Sequence, residues 1–457
     1  MDFIVSFVQD VLAVPAVLVG LAALVGLVAQ KKPVSDVITG TAKSILGFLI
    51  LGAGAGALVG SLDKLGPLLE QGFGVKGVVP NNEAIVAIAQ KTLGTETALI
   101  MVFGFIANLL YARFTRFKYV FLTGHHTFYM AALLSAVLGT AGLGGALLVI
   151  IGSLILGALM VLMPALASPY MDQVTKGQGI ALGHFGTLGY WLSATIGKWV
   201  GNKEDSIENY KVPKSLGFFR DSLVSTSLVM FLIFLVAAIA AGNDAVLKAS
   251  GGQNLLVFTM LQGLTFAGGV AIILMGVRMI IGEIVPAFQG IATRIVPDAK
   301  PALDCPVTFP YAPTAVLVGF LSSFVGGLLS MLVLGSAGMA VIVPGLVPHF
   351  FVGGTAGVFG NATGGKRGAI IGSFVNGILI TFGAALLLPT LGALGFQNTT
   401  FGDADFQWVG IVIGGIGNML KGAPGMIAGS LVVILAVVFV VGGMTGRGRK
   451  SGTKVGA

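Results

Sequence analysis

Eleven apolar stretches run through the sequence, and each is nearly long enough to cross a bilayer core, which takes about 20 residues. A soluble core could not hide so many, because only 10% of the residues are charged and the mean hydropathy is +0.97. We therefore predict an all-α integral membrane protein with about 11 transmembrane helices. The predicted spans are 12–29, 43–61, 97–112, 120–138, 142–167, 222–241, 255–277, 312–335, 339–361, 368–390 and 425–443.

The composition excludes several classes of protein. Disordered, secreted disulfide-rich, nucleic-acid-binding and ordinary cytosolic proteins do not combine this hydropathy with so few charges. The single cysteine, Cys305, excludes an internal disulfide and a cysteine-based metal cage. The first residues carry no basic cluster, so we expect them to form a true first span and not a cleaved signal.

The positive charges predict the orientation of the chain. With the amino terminus outside, the inner loops hold 21 of the 26 Lys and Arg residues, and the outer loops hold five. The opposite orientation would place 21 of these residues outside. Because Lys and Arg accumulate in cytoplasmic loops, the first orientation is favoured. The predicted topology is therefore N-out and C-in, in a multi-pass membrane protein.

The sequence also contains an internal repeat. GGALLVIIGSLILG at 144–157 matches GGKRGAIIGSFVNG at 364–377, at a constant offset of 220. The first copy begins at an outer loop and the second at an inner loop, so the two run in opposite directions through the bilayer. Two inverted five-span repeats plus one extra helix are typical of transporters, which bind substrate near the midplane.

This repeat divides the chain into four parts. They are 1–200, the first inverted repeat; 201–221, a cytoplasmic connector; 222–390, the second inverted repeat; and 391–457, an outer loop, the last transmembrane helix and a cytoplasmic tail.

Three connecting segments, 72–94, 174–197 and 284–313, are too polar to span a membrane and too apolar for plain loops. Backbone that is not helical at membrane depth survives only where it is buried in protein or lines a cavity. We predict re-entrant segments that form the binding site. The alternative is a set of amphipathic helices lying at the membrane surface.

Histidines are the first candidates for chemistry, because an ionisable side chain inside a membrane is costly enough to suggest a function. Adjacent helical residues point about 100° apart, so we expect His125 to face the site and His126 to be structural. His184, in the second polar segment, is a further candidate, whereas His349 is expected to bond within the helix bundle. Four histidines without paired spacing predict no metal site.

Asp304 is the sharpest carboxylate candidate. It lies among prolines that prevent a regular helix, and its carboxylate can bind a substrate hydroxyl and act as a general base. The alternative is a cytoplasmic acid paired with Arg294 or Lys300. Glu83 and Asn82 are the matching polar pair of the first segment. Cys305 has no basic neighbour in sequence, so it is interpreted as a packing residue.

Four motifs in the same order resemble one known family. They are FLTGHHTF at 121–128, GQGIALGH at 177–184, ALDCPVTFPYAPTAV at 302–316 and FFVGGTAGVFGNATGGKRGA at 350–369. They resemble the ascorbate-type IIC permease of the bacterial phosphoenolpyruvate-dependent sugar phosphotransferase system. The resemblance implies an eleven-span homodimer, in which the intertwined repeats form a substrate-carrying core and a V-shaped scaffold. It also implies an elevator-like movement of the core and no resident cofactor.

The same resemblance implies partners and site residues. Separate cytoplasmic IIA and IIB subunits would supply the phosphoryl group, with IIB carrying it on a cysteine, so this chain would not be an enzyme on its own. The substrate would contact the residues at positions His125, Asp304, His184, Gly54 and Ala55.

Four further positions of the resembled site carry other residue types. Tyr129 and Phe185 stand where ascorbate-binding members carry glutamine, and Asn82 and Glu83 where they carry threonine and tyrosine. The predicted substrate is therefore ascorbate or a related small polyhydroxylated compound. Two other functions stay open from the residues alone. One is an ion-coupled secondary transporter with Asp304 or Glu83 as the proton site, and the other is a membrane-embedded enzyme using His125 and Asp304.

Overall fold

The computed structural model describes residues 15–73, 78–80, 82–209, 222–294, 296–342, 344–392, 394, 399–420 and 423–444. The helices are α1 (Pro15–Ala29), α2 (Val34–Phe73), α3 (Asn82–Phe114), α4 (Gly124–Thr140), α5 (Gly145–Val174), α6 (Thr187–Val200), α7 (Ser222–Ala241), α8 (Asn243–Ser250), α9 (Leu255–Arg294), α10 (Pro313–Ser336), α11 (Gly354–Leu387), α12 (Ala404–Met419) and α13 (Pro424–Met444). The strands are β1 (Val79–Pro80), β2 (Tyr119–Phe121), β3 (Ala181–Leu182), β4 (Lys300–Leu303) and β5 (Thr399–Thr400). Shorter helical turns cover Ile207–Asn209, Cys305–Tyr311, Leu346–Pro348, His349–Gly353 and Leu388–Thr390.

Within the described residues, four helical segments are long and apolar enough to cross a membrane: Thr92–Phe114, Gly145–Val174, Pro313–Ser336 and His349–Thr390. Three shorter apolar helices accompany them, at Met230–Ala241, Leu255–Gly269 and Pro424–Val440. A helical membrane protein is therefore confirmed. The number of eleven spans and the N-out orientation stay predictions.

The helices pack in two sets. α2 lies along α9, and α1 and α7 pack on both of them. In the second set, α11 packs on α6 and α10, α3 packs on α4 and α5, and α12 joins α4 to α11. Many side chains on the outer faces are exposed Leu, Ile and Val, as expected for helices in contact with lipid.

α11 is broken at Gly365, which has φ 58° and ψ −149°. A Cβ atom placed on Gly360 would collide with the carbonyl oxygen of Gly368. In a straight helix, residues eight apart are separated by about 12 Å. The chain therefore turns back at Gly365, and the two arms of the helix contact each other at Gly360 and Gly368. Gly145, at the offset of 220, also has positive φ, 56°, where α5 begins.

Two small parallel sheets join the two halves of the chain. β4 lies between β2 and β3, while β1 pairs with β5 and Val78 forms a bridge to Ile342. β1 and β4 begin 221 residues apart, as do α2 and α9, which are both 40 residues long. The segment Val78–Pro80 and the strand β4 thus each pair with two segments from the other half of the sequence.

The structure adds detail to the sequence prediction. The short strands accompany the predicted all-α fold, and they are too short to give an alternating pattern. The segment 391–424, predicted to be an outer loop, contains the helix α12, and its position outside the membrane stays a prediction. The segment 284–313 is helical as far as Arg294, and the backbone leaves the helix only at β4 and the 3₁₀ turn Cys305–Tyr311, where the prolines begin.

Candidate functional site

The candidate site lies where the chain leaves the three parallel strands. β2 leads to the first turn of α4 with His125 and His126, β3 leads to His184, and β4 leads to Asp304. Parallel strands end at the same edge of a sheet, so these side chains meet although they come from distant parts of the sequence. On the outer edge of β2, the main-chain N–H of Phe121 donates to the side-chain oxygen of Asn108 at 3.1 Å.

The close contact of β3 with β4 depends on Gly183. Its N–H donates to the carbonyl of Leu303 at 2.6 Å, and a Cβ at this position would collide with the carbonyl oxygen of Ala302. Glycine is required by this approach of two backbones. It places His184, the next residue, beside Asp304.

His125 and Asp304 form the accessible part of the site. His125 Nε2 lies 3.4 Å from Asp304 Oδ2, and the two side chains are 27% and 16% exposed. Asp304 also caps the following 3₁₀ turn, because its Oδ1 accepts from Cys305 N–H at 2.7 Å. This bond orients the carboxylate and leaves Oδ2 directed toward the histidine. The pair can bind a hydroxyl group and take up its proton.

His126, His184 and Asp403 form a buried group next to this pair. The Nε2 atoms of His126 and His184 lie 3.8 and 3.9 Å from Asp403 Oδ2. His184 Nε2 also lies 3.8 Å from Asp304 Oδ1, so this histidine connects the two carboxylates. The rings of His126 and His184 are 3.8 Å apart between centroids. His126, predicted to be structural, thus lies with His184 and Asp403 on the buried side of the candidate site.

Both buried histidines accept hydrogen bonds from the main chain of one loop. His126 Nδ1 accepts from Phe185 N–H at 3.3 Å, and His184 Nδ1 accepts from Gly186 N–H at 3.1 Å. The hydroxyl of Tyr190 lies 2.8 Å from the same Nδ1 of His184. The loop that follows β3 therefore fixes the orientation of both rings.

Asp405 holds this loop from the other half of the chain. Its carboxylate accepts from Thr187 N–H at 2.7 Å and from Leu188 N–H at 3.1 Å, which caps the first turn of α6. Trp408 Nε1 donates to the same carboxylate at 2.9 Å, and Asp405 N–H donates to Phe185 O at 2.9 Å. The carboxylate is thus fully engaged in positioning α6.

Comparison with known proteins decides the family. The profile of the family described as "PTS system sugar-specific permease component" (EIIC-GAT) matches residues 10–405 of this chain. The chain belongs to this permease family of the phosphotransferase system. A curated relative from Mycoplasma pneumoniae, the "Ascorbate-specific PTS system EIIC component", is 27% identical over 421 residues. That match covers 80% of this chain, which spans 63% of the length of the relative.

In this permease, two further predicted contacts have distinct positions. The ring of Tyr129 lies 5.7 Å from that of His125, beside the accessible pair. The ring of Phe185 is fully buried, stacks on Phe121 at 4.9 Å and lies 6.1 Å from the ring of His126, while its main-chain N–H donates to the same histidine.

The remaining predicted contacts lie on α2 and α3. Asn82 is buried, and its Oδ1 accepts from Gly402 N–H at 2.8 Å, directly before Asp403. Gly54 lies in α2, the helix that packs along α9. The side chains of Ala55 and Glu83 lie outside the described residues.

The other ionisable residues behave as follows. Lys300, the alternative partner considered for Asp304, bonds to Asp172 Oδ1 at 3.2 Å, and the Arg294 side chain lies outside the described residues. Cys305 is a buried free thiol. His349 lies 2.8 Å from Ser323 Oγ, within the bundle as predicted.

Three of the four histidines meet in space, although their spacing in the sequence predicts no metal site. Three groups hold ligand atoms within 4.8 Å of one another: His125, His126 and Asp304; His126, His184 and Asp403; His184, Asp304 and Cys305. Such groups can hold a metal ion by composition, so the predicted lack of a metal site stays a prediction that the tautomers of the histidines must decide.

Sequence reasoning missed Asp403 and Asp405. The signal was the repeat itself, because the offset of 220 carries the segment 174–197 onto 394–417 and Gly183–Phe185 onto Asp403–Asp405. The sequence prediction places that segment in an outer loop.

Proposed function

We propose that this permease imports ascorbate, or a related small polyhydroxylated compound, across the bacterial inner membrane and releases it as a phosphate ester. The observation that carries the proposal is the partly exposed His125–Asp304 pair, 3.4 Å apart, beside the buried His184 and Asp403. Ascorbate is the first candidate because the Mycoplasma pneumoniae relative bears that name.

The chemistry follows from the carboxylate. The substrate hydroxyl oxygen attacks the phosphorus of a phosphocysteine on a separate IIB subunit, a P–O bond forms, and the P–S bond breaks. Asp304 takes the hydroxyl proton, and His125 holds the carboxylate in place. A separate IIA subunit recharges the cysteine. This chain binds and presents the hydroxyl, and it is not an enzyme on its own.

Movement of the site is proposed to follow an elevator mechanism in a homodimer, with the chain N-out and C-in. Two sets of helices support this proposal, since α1, α2, α7 and α9 pack on one another, and α4, α6 and α12, which begin at the site, belong to the other set. The second set would move as a body against the first. The strand exchange between the halves fits two intertwined inverted repeats.

Uptake of labelled ascorbate tests the function. Cells that express the permease with its IIA and IIB partners should accumulate phosphorylated label, and cells that lack IIB should not. Accumulation of free label that a protonophore abolishes would instead support the ion-coupled transporter. The matched variant is Asp304→Asn, with Asp172→Asn as a control, because the Asp172 side chain is 44% exposed and pairs with Lys300.

A further inference from the structure

Each of the two buried histidines of the site accepts a hydrogen bond from one main-chain N–H group, and each does so through its Nδ1 atom. Phe185 N–H points at His126 Nδ1, and Gly186 N–H points at His184 Nδ1. A nitrogen that accepts an N–H hydrogen bond cannot itself carry a proton. Main-chain N–H groups cannot rotate or exchange roles, in contrast to a hydroxyl group. The loop therefore dictates where the proton of each ring lies.

We infer that this loop locks His126 and His184 as neutral Nε2–H tautomers, and that their two N–H groups are ligand donors in the site of the proposed function. With Nδ1 occupied by an incoming donor, the proton of the neutral ring must be on Nε2. A doubly protonated ring would place an N–H group against an N–H group. Both Nε2 atoms lie beside carboxylates, within 3.9 Å of Asp403 Oδ2.

The tautomers determine the chemistry that the site recognises. Distances of 3.8–3.9 Å from the Nε2 atoms to the carboxylates of Asp304 and Asp403 exceed a direct hydrogen bond. A ligand hydroxyl can accept from an imidazole N–H while donating to the adjacent carboxylate, because a hydroxyl offers both functions. Imidazole N–H donors that lie beside carboxylate acceptors can therefore bind neighbouring hydroxyl groups of one polyhydroxylated compound.

The same tautomers disfavour a metal ion. Ligation through Nε2 requires a lone pair there and moves the proton to Nδ1. At Nδ1 the proton would meet Phe185 N–H or Gly186 N–H. The group of His126, His184 and Asp403 therefore has the composition of a metal site but the hydrogen-bond polarity of a hydroxyl site.

The first test reads the tautomers directly. The sequence contains four histidines, so spectra of the ¹⁵N-histidine-labelled permease in lipid nanodiscs can be assigned with single His→Gln variants. Nitrogen spectra at neutral pH should show a protonated Nε2 and a bare Nδ1 for His126 and His184. Tyr190→Phe should leave this unchanged, because Gly186 N–H still faces His184 Nδ1. A protonated Nδ1 in either ring, or saturable Zn²⁺ binding that both Gln variants abolish, would overturn the inference.

The second test separates a donor from a structural residue. The amide nitrogen of Gln takes the position of Nε2, and the amide oxygen of Asn takes that of Nδ1. His184→Gln should therefore bind the probes, L-ascorbate and xylitol, about tenfold more tightly than His184→Asn, roughly the contribution of one hydrogen bond. Equal or tighter binding by the Asn variant would assign His184 to a structural role. A wild-type permease that binds neither probe refutes the proposed substrate, whereas the spectra decide the tautomers without a ligand.

Discussion

The carboxylate of Asp405 accepts a hydrogen bond from the main-chain N–H of Thr187, 218 residues earlier in the chain, at 2.7 Å. Thr187 begins α6, directly after the loop that carries His184. Since Asp405 lies in the first turn of α12, beside Asp403, one carboxylate couples the two parts of the chain that build the buried side of the site. The positions of His184 and Asp403 are therefore linked.

Replacing Asp405 should destabilise this link. In Asp405→Ala, the N–H groups of Thr187 and Leu188 and the indole N–H of Trp408 lose a buried charged acceptor. We expect a loss of about 1–3 kcal/mol in unfolding free energy and weaker substrate binding. Thermal unfolding in detergent measures the first effect, with Asp244→Ala on the exposed start of α8 as control. Equal melting temperatures for the two variants would contradict the capping role.

Asp304→Asn should preserve the fold and greatly reduce phosphorylation-coupled uptake. Loss of a hydrogen bond to a charged group amounts to roughly 1.5–3 kcal/mol, which is at least a tenfold effect, and an amide cannot accept the hydroxyl proton. Uptake of labelled substrate at matched membrane expression measures it. Near-normal uptake would remove Asp304 from the proposed mechanism.

Gly183→Ala should disrupt the site through the backbone. The added methyl group collides with the carbonyl oxygen of Ala302, so β3 must separate from β4 and move His184 away from Asp304. We expect loss of binding in direct measurements on the purified variant. Gly56→Ala in α2 is the matched control, because nothing lies within 4 Å of the added methyl group and alanine favours a helix by up to about 1 kcal/mol. Full binding by Gly183→Ala would show that the sheet can relax without cost to the site.

The sequence predicted the parts of the site that leave a local signal. Asp304 stands out because prolines interrupt the chain around it, and His184 because it follows a glycine in a polar segment. Asp403 lies in a similar segment, but its sequence reads as a hydrated loop until the repeat is extended beyond residue 390.

The position of His126 could not be predicted from the sequence, and the cause is physical. The 100° rule assumes that a partner lies on one side of a helix. Here His125 and His126 occupy the first turn of α4, where segments from two other strands and from α12 surround the helix end. Adjacent side chains then reach different carboxylates, Asp304 and Asp403. The pairings of the strands that create this arrangement join residues about 120–180 positions apart and leave no trace in local periodicity.

Discrimination between an anionic and a neutral substrate should depend on Asp403. Ascorbate is an anion at neutral pH, and the site holds the carboxylates of Asp304 and Asp403, while His126 and His184 are inferred to be neutral. Two like charges about 5 Å apart repel by roughly 3 kcal/mol at an effective dielectric constant of about 20. Asp403→Asn removes one charge with little change in shape, so the affinity for ascorbate relative to xylitol should rise by at least about tenfold.

Competition binding to the purified permease measures this ratio, with Asp172→Asn as the control for charge outside the site. An unchanged ratio would mean that Asp403 is neutral or shielded from the ligand. Binding of xylitol by the wild-type permease without detectable binding of ascorbate would replace ascorbate by a neutral polyol, and the family assignment would stand.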